Sequence, residues 1–288
     1  MTNRIRNVHV SNHRLDPHET ELRIHVEVEG LTPTMAIKGR LVGPRSVYSS
    51  TVEIAYTVRE VARASELVEL RVVIPEASWW EPKKPFLYQG RLELWQDDTM
   101  RESVTIRHGI RRLQTTSTGL KLNGRPLLLR GKAIAAHPNE RELMQLHDQG
   151  MNVVLLNVAS LDTDVWQWAD RSGLLVLNRA LPPLDFVLMN PVDYVMRQQR
   201  PPDDADPLGW LAQSTRCRTA SGQAWANLWH GVKSADSDFA KTARFTICEE
   251  AERTAPSGVA LPWIVLSPHL PEPLPTRPDV IGWIESTS

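Results

Sequence analysis

Alternating apolar and polar residues characterise the first third of the chain. In residues 21–29, ELRIHVEVE, four apolar side chains alternate with five polar ones. This two-residue period predicts a β-strand with one buried face. Similar short segments, separated by Gly, Pro and polar turns, continue to about residue 110. Six or seven such strands predict an antiparallel, immunoglobulin-like β-sandwich over residues 1–114.

The pattern changes in the second part of the chain. An Asn-Gly turn in a short β-ribbon is followed by the apolar segment RPLLLRGKAIAA, and then helix-period and strand-type segments alternate as far as LLVLNRAL. This series predicts a parallel sheet or barrel. Farther on, the Asp-rich start and Pro/Gly end of residues 236–258 predict a helix, whereas ALPWIVLS and DVIGWIE predict strands.

The length of this second part limits its architecture. A complete (β/α)₈ barrel takes about 250 residues, whereas residues 120–288 supply about 170. Residues 115–288 are therefore expected to form a reduced or incomplete TIM-type barrel. The predicted fold class is multidomain, with an all-β part followed by an α/β part.

Composition and charge bear on the binding partners, the localisation and the cofactors that can be expected. The net charge is -1, with 33 basic and 34 acidic residues, so nucleic acid is not a favoured partner. The N-terminus has no apolar signal segment, and no apolar run is long enough to span a membrane. A soluble, cytoplasmic protein is therefore expected. Cys217 and Cys248 have no CxxC spacing, so neither a metal site nor another cofactor is expected.

Five motifs follow one another between residues 79 and 180: WWEPKKPFLYQGRLELW, IRHGIRRL, LKLNGRPLLLRGKAIAAHP, LHDQGMNVVLLNV and WADRSGLLVLNRA. Their type and order resemble family 2 glycoside hydrolases, the β-galactosidase, β-glucuronidase and β-mannosidase group. In that family an immunoglobulin-like sandwich leads through an Asn-Gly ribbon into a TIM barrel. The resemblance implies the same two parts here, with a divergent or truncated C-terminal part and no jelly-roll domain before the sandwich.

The resemblance also shows departures at pocket positions. Leu155 and Val158 occupy places where the family has Arg and His, and Asn178 and Arg179 follow a strand that in the family ends in an acidic residue. Each replacement removes a charged group that would hold a sugar hydroxyl or orient a carboxylate. The resemblance therefore implies a pocket that has lost its charged residues.

Catalysis in the family is retaining hydrolysis, which needs two carboxyl groups about 5 to 5.5 Å apart. The motif before the family's acid/base Glu resembles RPDVIGWIESTS, which places the Asn-Glu positions on Thr287 and Ser288. No catalytic residue is therefore assigned. Glu285 and Glu272, which each follow a predicted strand, are the candidates for relocated carboxylates.

Other polar and aromatic residues near predicted strand ends are candidate substrate contacts. They are His137, Asn157, Asn178 and Trp229. For Trp229, which lies four residues after Trp225, packing in a core cluster is the alternative to stacking on a sugar. Asn139-Glu140 is interpreted as a helix N-terminus rather than a catalytic pair, and the Arg run in RHGIRRL as a solvated strand end.

Three hypotheses for function follow. The first is a degenerate, non-catalytic family-2-like protein with a carbohydrate-binding or structural role. The second is an active retaining β-glycosidase that has relocated its carboxylates. The third is an oligomerisation module that pairs, as a homo-oligomer, through exposed Trp residues and the open edge of an incomplete barrel.

Overall fold

The structure, a computed structural model, describes the chain in two compact units. The described residues are 3–116, 119–134, 138–156, 163–179, 186–189, 229–232, 245–249, 263–275, 277 and 279–286. Those up to residue 111 belong to the first unit, and those from residue 112 onward belong to the second.

The described residues of the first unit form eight antiparallel strands in two four-stranded sheets. The strands are β1 (Arg4–Leu15), β2 (Glu19–Glu29), β3 (Met35–Arg45), β4 (Ile54–Thr57), β5 (Arg59–Arg63), β6 (Leu67–Pro75), β7 (Leu87–Gln96) and β8 (Thr99–His108). One sheet has the order β1-β2-β6-β5, and the other has the order β4-β3-β7-β8. The predicted antiparallel, sandwich-like sheets are confirmed.

The core of this unit follows from the alternation in the sequence. The four apolar side chains of residues 21–29 are fully buried, and so are those of β6 at every second position. The two strands pair so that Leu22 lies opposite Val72, and Ile24 lies opposite Leu70. Because neighbouring strands present their apolar faces on the same side of the sheet, the pairing register also fixes which residues form the core.

The second unit begins with a three-stranded ribbon, made of β9 (Leu113–Thr116), β10 (Gly119–Leu122) and β11 (Arg125–Pro126). Asn123 and Gly124 connect β10 to β11, and both have positive φ angles, of 53° and 79°. Two successive residues with positive φ are typical of the tight hairpin turn that Asn-Gly favours. The Asn-Gly turn predicted from the sequence is confirmed.

Eight further strands form a closed barrel. They are β12 (Leu129–Ile134), β13 (Val153–Leu156), β14 (Leu175–Arg179), β15 (Phe186–Met189), β16 (Trp229–Val232), β17 (Phe245–Glu249), β18 (Trp263–Ser267) and β19 (Val280–Glu285). All neighbours are parallel except that β15 runs antiparallel to both β14 and β16. A TIM barrel has eight parallel strands, so the reversed β15 departs from that pattern.

Two sequence predictions are corrected by this barrel. The helix predicted over residues 236–258 is wrong for residues 245–249, which form strand β17 and pair with β18. The open edge of the third hypothesis is also not found, since each barrel strand pairs with a neighbour on both sides. The strands predicted at ALPWIVLS and DVIGWIE are confirmed as β18 and β19.

The second unit has two helices among its described residues, α1 (Glu140–Asp148) and α2 (Thr163–Ser172). Within the described part of the chain, neither is long and apolar enough to cross a membrane. Helix α1 begins with a capping box. The Asn139 side chain accepts a hydrogen bond from the Glu142 N–H at 3.1 Å, and the Glu142 carboxylate accepts one from the Asn139 N–H at 2.8 Å. Asn139-Glu140 is thus a helix N-terminus, as predicted.

The capping box leads to a first prediction. Asn139→Ala removes the acceptor for the Glu142 N–H, and we expect it to lower the free energy of unfolding by about 1 kcal/mol. Urea denaturation would measure the loss. Asn139→Ser is the control, because Ser is also a favoured cap and should preserve most of the stability. Equal losses in the two variants would contradict the importance of the cap.

Candidate functional site

The candidate site lies at the carboxyl ends of barrel strands β12 and β19. Here Lys132 and Glu285 are register partners on adjacent parallel strands, and the lysine Nζ lies 3.2 Å from the carboxylate Oε2. Both side chains are partly exposed. The carboxyl end of a barrel of parallel strands is where such folds bind ligands. Of the two candidate carboxylates, Glu285 is therefore the one at the end of a barrel strand, and it is ion-paired.

The second candidate carboxylate, Glu272, also pairs with a residue of β12. The Arg130 guanidinium lies 2.8 Å from the Glu272 carboxylate, whose side chain is 74% exposed. Arg130 and Lys132 are two residues apart and so project from the same face of β12, about 6.6 Å from each other along the strand. The two candidate carboxylates therefore bind neighbouring cations.

The surroundings of Glu285 are only partly polar. Ser267, on β18, is the register partner of Glu285, and its buried hydroxyl donates a hydrogen bond of 2.6 Å to the His269 carbonyl. The Ser267 proton is thus already used within its own loop. Two residues before Glu285, the Trp283 side chain is fully buried in an apolar cluster.

The end of strand β13 is apolar. Leu155 and Leu156 are both buried there, at the place where the family resemblance leads one to look for an Arg. An isobutyl side chain can neither donate a hydrogen bond to a sugar hydroxyl nor orient a carboxylate. The described end of this strand therefore offers no group that could take part in glycoside chemistry.

The predicted substrate contacts can be located only in part. His137 and Asn157 lie outside the described residues, as do Thr287 and Ser288. The backbone of Asn178 lies in β14 opposite Leu156, and that of Trp229 lies in β16 opposite Leu188. The roles proposed for these side chains stay predictions. Among the described residues, no group of three or more His, Cys, Asp or Glu side chains has an arrangement that could hold a metal ion.

Sequence reasoning missed a buried basic cluster in the first unit, formed by His9, His25, His108 and Arg111. His9 and His25 are register partners on β1 and β2, and the His108 Nε2 atom lies 2.8 Å from the Asn12 Oδ1 atom. His25 is one of the polar residues that alternate with the apolar residues of β2, so the alternation predicts that its side chain is exposed. Nothing in the local sequence pattern indicated that it is buried.

Burial changes the protonation of these histidines. Burial, with a smaller contribution from the positive charge of the nearby Arg111, lowers the pKa of His108 to about 3. Burial also holds the pKa of His9 well below its usual value, with additional contributions from His25 and His108. Both imidazoles are therefore neutral in the folded protein near pH 7.

The predicted solvated Arg run is wrong for Arg111. Its side chain is 1% exposed, and its guanidinium carbon lies 3.9 Å from the centre of the Trp80 ring. The Arg111 carbonyl accepts a hydrogen bond of 2.9 Å from the Asn12 side-chain amide. This residue thus has a structural role in joining the end of the first unit to its core.

Comparison with known proteins gives a family match for the antiparallel sheets of the first unit. Residues 3–111 match the family model described as glycosyl hydrolases family 2. The chain is therefore a family-2-like protein, as its motifs predicted.

Individual relatives match only in part. The chain is 32% identical over 75 residues to a β-galactosidase from Klebsiella pneumoniae, which is 26% of this chain and 7% of the relative. It is 23% identical over 124 residues to a β-glucuronidase from Streptococcus agalactiae serotype V, which is 39% of this chain and 21% of the relative.

Among solved structures, the β-glucuronidase of Bifidobacterium dentium complexed with coumarin-3-O-glucuronide superposes with a TM-score of 0.49 at 14% identity. The superposition covers 61% of this chain and 30% of the other. The chain thus spans a minor part of the length of each of these relatives.

Proposed function

We propose that the chain is a non-catalytic, family-2-like protein that binds carbohydrate. In this proposal residues 1–114 form the immunoglobulin-like sandwich, and residues 115–288 form a reduced TIM-type barrel that has lost the hydrolytic carboxylates. The observation that carries the proposal is the ion pair between Glu285 and Lys132, beside the buried apolar end of β13.

The chemistry of retaining hydrolysis supports this choice. It requires a nucleophilic carboxylate and a second carboxyl group that is protonated when the substrate binds. A general acid of this kind works in a desolvated site, whereas the Glu272 side chain is 74% exposed and lies against Arg130. The described surroundings of Glu272 therefore do not suit the acid/base role.

The prediction is that the purified chain will not hydrolyse aryl β-galactosides, β-glucosides, β-glucuronides or β-mannosides above the rate in buffer. Glu285→Gln and Glu272→Gln are expected to leave this background unchanged. Glu53→Gln, which breaks the exposed ion pair with Arg45 in the first unit, is the matched control. Turnover that Glu285→Gln abolishes, and that Glu53→Gln preserves, would overturn the non-catalytic proposal.

An active glycosidase with relocated carboxylates is the second candidate. It is favoured by the position of Glu285 at the carboxyl end of barrel strand β19, which is the end where such folds place their active sites. This candidate requires that each of the two Glu→Gln variants loses activity on the same substrate. If only one of the two variants lost activity, the other glutamate would not be a catalytic carboxylate, and this candidate would be contradicted.

The carbohydrate-binding part of the proposal needs its own measurement. The full chain is expected to be retarded in native gels that contain a neutral polysaccharide, compared with gels that contain none. A serum albumin control corrects for the sieving effect of the polysaccharide. Equal mobility in all gels, for every polysaccharide tried, would contradict a carbohydrate-binding role.

A further inference from the structure

The first unit contains a groove at its surface. We call it the sandwich groove; it lies between β4, the segment before it, and the connection from β6 to β7, and its volume is about 350 Å³. Its polar and aromatic lining residues are Thr51, Tyr56, Glu76, Ser78, Phe86 and Tyr88. This size is at the lower end of the range for small-molecule sites.

Aromatic rings form one wall of the sandwich groove. Tyr56 and Tyr88 pack edge to face, with ring centres 6.1 Å apart and an interplanar angle of 63°. Tyr88 is fixed in place, because its ring is buried and its hydroxyl accepts a hydrogen bond of 2.9 Å from the Ser78 N–H. Burial raises the pKa of Tyr88 to about 12, so its hydroxyl stays neutral. Tyr56 and Phe86 are half-exposed and present aromatic surface to the groove.

The polar groups of the groove include one charge. Glu76 is exposed, and its backbone adopts a φ of 45°, which is rare for a residue other than glycine. The Glu76 N–H donates a hydrogen bond of 2.9 Å to the His18 carbonyl, which fixes this conformation. Thr51 and Ser78 add hydroxyl groups, whereas no Lys or Arg occurs among the lining residues that the structure describes.

We infer that the sandwich groove binds a pyranose ring of a neutral saccharide. The apolar C–H face of such a ring can pack on Tyr56 and Phe86, while its hydroxyl groups bond to the Glu76 carboxylate and to the neighbouring hydroxyls. Because the only charged group among the described lining residues is an anion, a sugar acid is repelled and a neutral sugar is preferred. This inference rests on the proposed carbohydrate-binding function and names the place where binding occurs.

The test is a titration of the full chain, followed by calorimetry, with neutral tetrasaccharides of β-linked glucose, galactose or mannose. Tyr56→Ala is expected to weaken binding of the preferred tetrasaccharide by about tenfold or more, and Glu76→Gln by a smaller factor. Tyr56→Phe retains the ring and should bind within about threefold of the wild type, so it separates loss of stacking from loss of folding.

The control is Trp95→Ala. Trp95 is another half-buried aromatic residue of the first unit, but it lies outside the groove with Lys38 over its ring at 4.7 Å. Its removal should not change saccharide binding. A glucuronate-containing tetrasaccharide should bind more weakly than the neutral one, and tighter binding of the acidic one would overturn the inference.

The remaining outcomes separate the groove from the proposed function. If Tyr56→Ala and Glu76→Gln leave saccharide binding unchanged, the saccharide does not bind in the sandwich groove. That result would overturn the inference and leave the proposed function intact. Failure to bind any saccharide, by calorimetry and in the polysaccharide gels, would overturn the proposed function and the inference with it. Val52 is an exposed apolar residue of the groove lining. A dimer in light scattering that Val52→Asp dissociates would show that the groove is a contact between protein chains, and would also overturn the inference.

Discussion

Acidification from pH 7.5 to pH 5.0 is expected to lower the free energy of unfolding by about 2 kcal/mol through His108 alone. His9 and His25 add to the loss in the same direction, because burial lowers their pKa values in the folded protein as well. The pKa of His108 in the folded protein is about 3. In the unfolded chain each returns to an ordinary pKa of about 6.5. The unfolded state therefore binds more protons below that pH, and stability falls as the pH falls.

The size of the effect follows from linkage. Each pH unit below the unfolded pKa costs about 1.4 kcal/mol for a histidine that stays neutral in the fold, so 1.5 units cost about 2 kcal/mol for His108, whose folded pKa is about 3. Burial is the largest cause of the lowered pKa values of His9 and His108, and neighbouring positive charge adds to it. His9 lies opposite His25, and Arg111 adds a positive charge near His108. Carboxylates contribute little in this window, because they titrate mainly below pH 5.

Urea denaturation followed by Trp fluorescence at several pH values between 7.5 and 5.0 would measure the loss. His108→Gln can keep a donor for the Asn12 side-chain oxygen while removing one titration. We expect the loss on acidification to shrink by about 2 kcal/mol in this variant. His18→Gln, at an exposed position, should leave the loss unchanged. A pH dependence that is identical in His108→Gln and the wild type would show that burial of His108 is not its cause.

The parts of the fold that the sequence predicted are those that depend on local pattern. Strict alternation in residues 21–29 identified the buried face of β2, because side-chain direction in a strand alternates residue by residue. The N-terminus of α1 was predictable in the same way, since Asn139 and Glu142 form the capping box within four residues. In these cases the burial or the hydrogen bonds were already implied by the neighbouring sequence.

Local pattern was misleading where distant partners decide the structure. Residues 245–249 lie between an Asp-rich segment and a Pro/Gly segment, which are signals for helix ends. They form strand β17 because β16 and β18 pair with them on either side. His25 is a similar case, since the polar phase of β2 predicts exposure whereas its pairing with His9 accompanies nearly complete burial.

The candidate site likewise combines features that local sequence predicts with features that distant partners decide. Glu285 and Glu272 could be chosen from the sequence, because both follow predicted strands. Their ion-pair partners could not, since Arg130 precedes Glu272 by 142 residues and closure of the barrel brings the two together. The neutralising cations on β12 are the evidence that bears on catalysis, and these become visible only in the folded chain.

Trp80→Ala is expected to lower the free energy of unfolding by about 3 to 5 kcal/mol, the usual range for truncating a buried aromatic residue. The Trp80 ring is fully buried under the Arg111 guanidinium. Its backbone N–H donates a hydrogen bond of 2.7 Å to the Ile110 carbonyl. Gly109 leaves the space for the ring, since a Cβ there would come within 2.9 Å of it. Truncation would leave a cavity and a buried cation without its aromatic partner.

Trp80→Phe keeps a ring beneath Arg111 and should lose clearly less stability than Trp80→Ala. The control is Trp79→Ala, because Trp79 is only half-buried in the same segment. Urea denaturation at pH 7.5 would rank the three variants, and equal losses for Trp79→Ala and Trp80→Ala would contradict a special role for the Trp80 and Arg111 pair. Two of the motifs that resemble family 2 glycoside hydrolases meet at this pair. If the ranking holds, these motifs stabilise the sandwich, and their presence is then compatible with a barrel that lacks a hydrolytic carboxylate pair.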